Sequence, residues 1–153
     1  SMALVHQKLY QSADFSEIDF SEYLKQLSQH LFNVYKSRSN ELEISINSGD
    51  VNLSIDLAIP CGLILNELIS NSLKYAFPDN GKGNININLE CRNNKEYEII
   101  ISDNGIGFPE EIDYKQTKSL GLQLVNTLVG QIDGTIMMEN HNGTTFRIKF
   151  DKK

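Results

Sequence analysis

The chain has 153 residues, of which 40% are hydrophobic, and a formal charge of −6 at pH 7. That is enough for one domain with a real core, and no apolar run approaches the roughly 18 residues that span a bilayer, so direct membrane contact is not expected. The acidic balance argues against nonspecific nucleic-acid binding, which needs a basic face, yet it leaves room for one nucleotide held by backbone amides, a lysine and a metal ion. Ser1-Met2 reads as a cloning remnant, so the chain is expected to be a piece of something longer. Cys61 and Cys91 lack metal-ligand spacing and read as thiols in a reducing compartment.

In chain order, MALVHQKLYQS has Leu4, Val5, Leu9 and Tyr10 at rough helical spacing. From about Asp19 to Arg38, Phe20, Tyr23, Leu24, Leu27, Leu31, Val34 and Tyr35 recur at intervals of three and four, predicting an amphipathic helix capped by Asp19 or Ser21. LEISI and VNLSI, separated by Asn47-Ser48-Gly49-Asp50, predict a hairpin. Ile59-Pro60 is expected to open a strong helix that stops at Pro78, with Pro60 in its first turn. NININLEC and YEIIIS predict two strands joined by Arg92-Asn93-Asn94-Lys95. SDNGIGFP and the patternless EEIDYKQTKS follow, then a helix over LGLQLVNTLVGQI and a closing hairpin of GTIMMEN and GTTFRIKF. This order predicts an α+β fold, a two-layer sandwich with helices over one face of a mainly antiparallel sheet.

Three stretches carry chemistry. On the Pro60 helix, at about 100° per residue, Cys61, Ile64, Leu65, Leu68, Ile69, Leu73 and Ala76 form the buried arc. Glu67, Asn71 and Lys74 form a column within roughly 60° beside it. An amide oxygen suits Mg²⁺, an ammonium suits phosphate, and a carboxylate can orient or deprotonate a nucleophile. The plain alternative is a solvated face with an ordinary Glu-Lys pairing. In SDNGIGFP, Asp103 ends a strand and can accept from an exocyclic amine such as adenine N6, while Gly105 and Gly107 allow close backbone approach to a flat base. Here the alternative is a glycine-rich turn. Ser119-Leu120-Gly121-Leu122 stands where a helix begins, and amides there bind anions.

Taken in order, NELISNSLKYAF, SDNGIGFP, SLGLQLV and GTTF resemble the N box and successive glycine boxes of the GHKL ATPase superfamily, which includes histidine kinases, gyrase, Hsp90 and MutL. MALVHQKLYQS, IDFSEYLKQLSQHLF and AIPCGLILNELISNSLKYAFPD are further similar to sensor histidine kinases of the second dimerisation-type family. The resemblance implies residues 1–38 as a remnant of the dimerisation helices plus a linker helix, and 39–153 as an ATP-binding catalytic domain of Bergerat type. It implies a histidine kinase of a two-component system, with Glu67 as catalytic carboxylate, Asn71 as Mg²⁺ ligand, Lys74 on phosphate and Tyr75 near the nucleotide. Asp103 would meet the adenine amine, Gly105 and Gly107 would shape the pocket, and Ser119, Leu120, Gly121 and Leu122 would face the phosphates. Thr144 would support the adenine end, and residues 110–118 would form the lid. The implied ligands are ATP or ADP with Mg²⁺, and the implied partners are the full-length kinase's own dimerisation helix, in a homodimer, and a response regulator. A cytoplasmic location is implied. His6 does not match the acceptor position, so the chain is expected to bind ATP without phosphorylating itself. His30 and His141 read as structural or surface residues. The helix of residues 20–35 has two possible outcomes, packing on the core or a nonnative association. A serine kinase of an anti-sigma system and a noncatalytic nucleotide-binding interaction module would share the boxes.

Overall fold

The computed structural model describes residues 17–35, 42–77, 82–106, 120–140 and 142–151. The MALVHQKLYQS segment, His6, His141, Gly107, Ser119 and the lid at 110–118 lie outside these residues.

Strand β1 (Ile18–Asp19) leads into helix α1 (Phe20–Tyr35). Asp19 accepts a hydrogen bond at Oδ1 from the Glu22 backbone amide at 3.1 Å, satisfying one of the first-turn donors as the sequence predicts. The stripe of Phe20, Tyr23, Leu24, Leu27 and Leu31 is buried, and the helix packs on the core against the long helix that follows. Of the two outcomes open for residues 20–35, packing on the core is the one observed.

The expected hairpin of LEISI and VNLSI does not form. Strand β2 (Leu42–Ser48) pairs in parallel with β4 (Gly83–Arg92), and β3 (Asn52–Leu53) pairs with β1 instead. The reason lies at Val51, a buried core residue. Its carbonyl accepts from Phe20 N at 3.0 Å and its amide donates to Ser21 Oγ at 3.1 Å. Backbone groups that a returning strand would need are occupied by the start of α1.

Helix α2 (Ile55–Tyr75) begins earlier than Pro60, which therefore lies inside the helix and not in its first turn. Ser54 holds the extended N-cap conformation, and its carbonyl accepts from Leu57 N and Ala58 N. Leu57, Ala58 and Cys61 are buried, so core packing draws the first turn into the helix. The carbonyl that Pro60 leaves without an intrahelical donor belongs to Asp56, an exposed first-turn residue that water can serve.

The rest follows the sequence. The strands run β2-β4-β5-β7-β6, with β5 (Glu96–Asp103), β6 (Thr135–Asn140) and β7 (Thr144–Asp151) all antiparallel to their neighbours. Asn93 and Asn94, both at φ 55°, make the tight turn between β4 and β5. In β4, Ile85, Ile87 and Leu89 are buried while Asn84, Asn86 and Asn88 are exposed, so one sheet face meets α1, α2 and α3 (Leu120–Gln131). This is the two-layer α+β sandwich expected. On the other face Glu98, with a fully buried side chain, pairs with Arg92 at 2.6 Å, Arg147 at 3.4 Å and Lys149 at 3.7 Å. Cys61 and Cys91 are free thiols, and burial pushes the Cys61 thiol up. Met137 and Met138 are strand residues and His30 is half-buried. Among the described residues no helix is long and apolar enough to cross a membrane.

Candidate functional site

The site is built where the C-terminal half of α2 meets the end of β5 and the start of β7. The apolar arc of α2 is buried as predicted: Cys61, Ile64, Leu65, Leu68, Ile69, Leu73 and Ala76 are all in the core or against it. That fixes the rotation of the helix, and with it the neighbouring column. Glu67 and Asn71 stand half-buried one turn apart, with Lys74 exposed a turn further on and Tyr75 at 66% exposure. The Lys74 ammonium lies 5.7 Å from the centre of the Tyr35 ring, so the end of α1 borders the column.

Asp103 is the last residue of β5, on the inner face, and only 9% exposed. Three donors from three segments converge on its carboxylate. Gly105 N donates to Oδ1 at 3.0 Å and Thr144 N to the same oxygen at 3.3 Å. Ser72 Oγ donates to Oδ2 at 2.9 Å. A carboxylate has about four lone-pair positions, so one remains on Oδ2 for an incoming donor. Thr144 reaches Asp103 through its backbone amide, and Ser72 is a contact that the sequence pattern did not single out. Its one legible signal is its place beside Asn71, a serine in mid-helix, where it is neither a cap nor a good helix former.

The glycines act through space. An added Cβ on Gly105 would stand 2.2 Å from the Ala76 carbonyl oxygen and 2.6 Å from Ala76 Cβ. Ile106 N also donates to that carbonyl at 2.9 Å. The close approach inferred for this loop is therefore made, in the protein itself, to the end of α2. Gly143 opens the GTTF element. It sits at φ +120°, and a Cβ there would come within 2.0 Å of the Asp103 carbonyl oxygen. Asn104 closes the loop from the other side: its Oδ1 accepts from Asn84 N at 2.8 Å.

The third element is the start of α3. Leu120 opens the helix, Gly121 is half-buried, and Leu122 is a core residue at 3% exposure. The Leu122 side chain is thus committed to packing against the core, and only its backbone could face a ligand. Helix α3 packs against α2, so this N-terminus and the Glu67 column belong to neighbouring helices. Among the described residues no three His, Cys, Asp or Glu side chains cluster as a metal cage. The oxygen donor present for a metal, the Asn71 amide, fits a hard divalent cation that keeps waters and takes the rest of its shell from substrate phosphates.

Residues 56–153 match the family described as histidine kinase-, DNA gyrase B-, and HSP90-like ATPase, and residues 1–35 match one described as histidine kinase. Sensor histidine kinase PdtaS of Mycobacterium tuberculosis is 31% identical over 144 residues, covering 92% of this chain and 28% of that protein. Blue-light-activated histidine kinase 2 of Erythrobacter litoralis is 25% identical over 88 residues, covering 58% of this chain and 25% of its own length. The chain thus spans a minor share of the length of these relatives. Among solved structures, the histidine kinase domain from the Erythrobacter litoralis EL346 blue-light activated histidine kinase superposes with a TM-score of 0.87 at 21% identity, covering 95% of this chain and 75% of that one. The mycobacterial sensor histidine kinase MprB gives 0.66 at 16% identity, covering 90% and 98%. At these identities the structural likeness is one of fold. The family match spans residues 56–153, the stretch that contains the described site, and the chain belongs to the histidine kinase-, DNA gyrase B- and HSP90-like ATPase family.

Proposed function

We propose that this chain is the ATP-binding catalytic part, with an adjoining helix, of a two-component sensor histidine kinase. The full-length protein would transfer the ATP γ-phosphate to a histidine on its own dimerisation helix, for relay to a response regulator. The observation that carries the reading is the Asp103 carboxylate, nearly buried, held by three donors and left with one acceptor position, beside a helix presenting Glu67, Asn71 and Lys74. The family match over 56–153, the histidine kinase match over 1–35 and the names of the relatives support it.

In this reading an adenine amine donates to Asp103 Oδ2. The Asn71 oxygen is the group that would hold Mg²⁺, which when bound would supply neutralisation of phosphate charge. Lys74 binds phosphate as a point charge once it leaves the Tyr35 ring. Glu67 orients the acceptor imidazole or takes its proton, and the backbone amides from Ser119 to Leu122 meet phosphate oxygens. Tyr75, exposed at the edge of the column, covers the nucleotide. Little covalent work falls to the protein, so positioning and charge neutralisation carry the catalysis. Residues 1–38 and 39–153 then divide into dimerisation-proximal and catalytic parts.

Calorimetric titration with Mg-ADP, repeated on Asp103→Ala, tests the reading. Saturable binding that weakens by about a hundredfold in the variant is expected from losing a charge-assisted hydrogen bond to a carboxylate with only 9% exposure. Equal affinities in the two proteins would remove Asp103 from base recognition.

A further inference from the structure

We propose that Ser72 is a specificity-determining residue of this site: its hydroxyl holds Asp103 Oδ2 so that the carboxylate selects purines with an amino group at position 6 over those with an oxo group. The proposal rests on the nucleotide reading and deepens it.

The geometry is unusual for a helical serine. In mid-helix a serine hydroxyl commonly turns back to the carbonyl four residues earlier. Ser72 instead reaches across 31 residues to Asp103, at 2.9 Å, in a part-buried contact. It leaves from the position next to Asn71, so one turn of α2 serves both the metal-ligating oxygen and the base-recognising carboxylate.

Hydrogen-bond bookkeeping then gives the selectivity. Gly105 N and Thr144 N fill both acceptor positions of Oδ1 and stop the carboxylate from rotating. The single Ser72 hydroxyl proton goes to Oδ2, because a carboxylate can only accept. What the pair then offers a ligand is one lone pair on Oδ2 and the lone pairs of Ser72 Oγ, which are acceptors throughout. A 6-amino group, carrying two protons, satisfies such a surface. A 6-oxo group meets it acceptor to acceptor and leaves nearly buried polar atoms unpaired. At 9% exposure Asp103 has little water to relieve that mismatch. Without the hydroxyl, Oδ2 keeps two open positions and room for a water, and a water can turn a proton toward an oxo group.

The test titrates Mg-ADP and Mg-GDP into the 153-residue protein and into Ser72→Ala and Ser72→Thr, with thermal melts of each. We expect Ser72→Ala to weaken ADP about tenfold while GDP changes little, so that the ADP-over-GDP preference narrows about tenfold; Ser72→Thr keeps the hydroxyl and the preference. If the alanine variant loses both nucleotides in parallel, or neither, with an unchanged melting midpoint, the proposal is overturned. If the alanine variant does not fold, the threonine variant decides: a folded Ser72→Thr without the preference overturns it. Wild-type protein that binds no ADP removes the nucleotide reading itself, whereas wild-type binding with an unaltered ratio in Ser72→Ala removes only the role of Ser72.

Discussion

Replacing Gly105 with alanine separates two explanations of why a glycine stands in this loop. If the glycine serves only to admit a flat base, the substitution leaves the nucleotide-free protein as stable as before. The structure gives another outcome. The new methyl carbon would sit 2.2 Å from the Ala76 carbonyl oxygen and 2.6 Å from Ala76 Cβ, where carbon contacts normally lie at about 3.5–4.0 Å. Relief requires the loop to retreat by roughly 1 Å, which stretches the Ile106 N to Ala76 O bond, now 2.9 Å, beyond hydrogen-bond range. It also pulls Gly105 N away from Asp103 Oδ1, a bond of 3.0 Å to a carboxylate. A neutral backbone bond contributes about 1 kcal/mol and one to a charged group about 1.5–3 kcal/mol. The reduced freedom of the unfolded chain returns about 0.4–1 kcal/mol. The net is a loss of about 2–3 kcal/mol, or roughly 5–10 °C in the melting midpoint for a chain of this size. Thermal and urea unfolding by circular dichroism without nucleotide reads this directly. A midpoint within about 1 °C of wild type would refute the argument, since a retreat of this size cannot leave both bonds intact.

Other measurements probe the frame around the site. Glu98→Ala leaves Arg92, Arg147 and Lys149 facing one another without their shared carboxylate, but these cations are 34–48% exposed and can turn to water. A loss of about 1–3 kcal/mol is expected, partly recovered in high salt, and a urea midpoint unchanged at low salt would contradict it. Burial pushes the Tyr23 hydroxyl from 10.0 up to about 12, and raises Cys61 and Tyr97 as well. The folded protein therefore keeps protons that the unfolded chain releases, so stability is full below about pH 9 and falls as pH rises through 10 toward 12. The Tyr23 hydroxyl has no hydrogen-bond partner among the described residues, so Tyr23→Phe should be at least as stable at pH 8 and should lose part of the alkaline slope. Coincident stability-pH curves for the two proteins would count against that assignment.

Much of this molecule was legible from residue order alone. Period-two alternation in NININLEC and the Asn-Asn turn placed two strands and the connection between them, because strand faces and left-handed turn residues are local properties. The apolar arc of α2 likewise set which way Glu67, Asn71 and Lys74 would stand beside it, since a helix with one buried face has little freedom to rotate. Partners were not legible. LEISI and VNLSI looked like a hairpin, and Val51 was instead engaged by Phe20 and Ser21, some 30 residues earlier in the chain. The start of α2 moved ahead of Pro60 because burial of Leu57 and Ala58 outweighed a lost backbone bond in an exposed turn. At the site, Asp103 could be named from its strand-end position and its glycines. That its carboxylate is also held by Ser72 and Thr144, and that Gly143 must lack a side chain to let the strand ends meet, depended on chain segments about 30 to 40 residues apart coming together, whereas the bond from Gly105 N is a local turn contact. Hydrogen bonds at such separations leave no period in a sequence. They exist only once the two layers have packed.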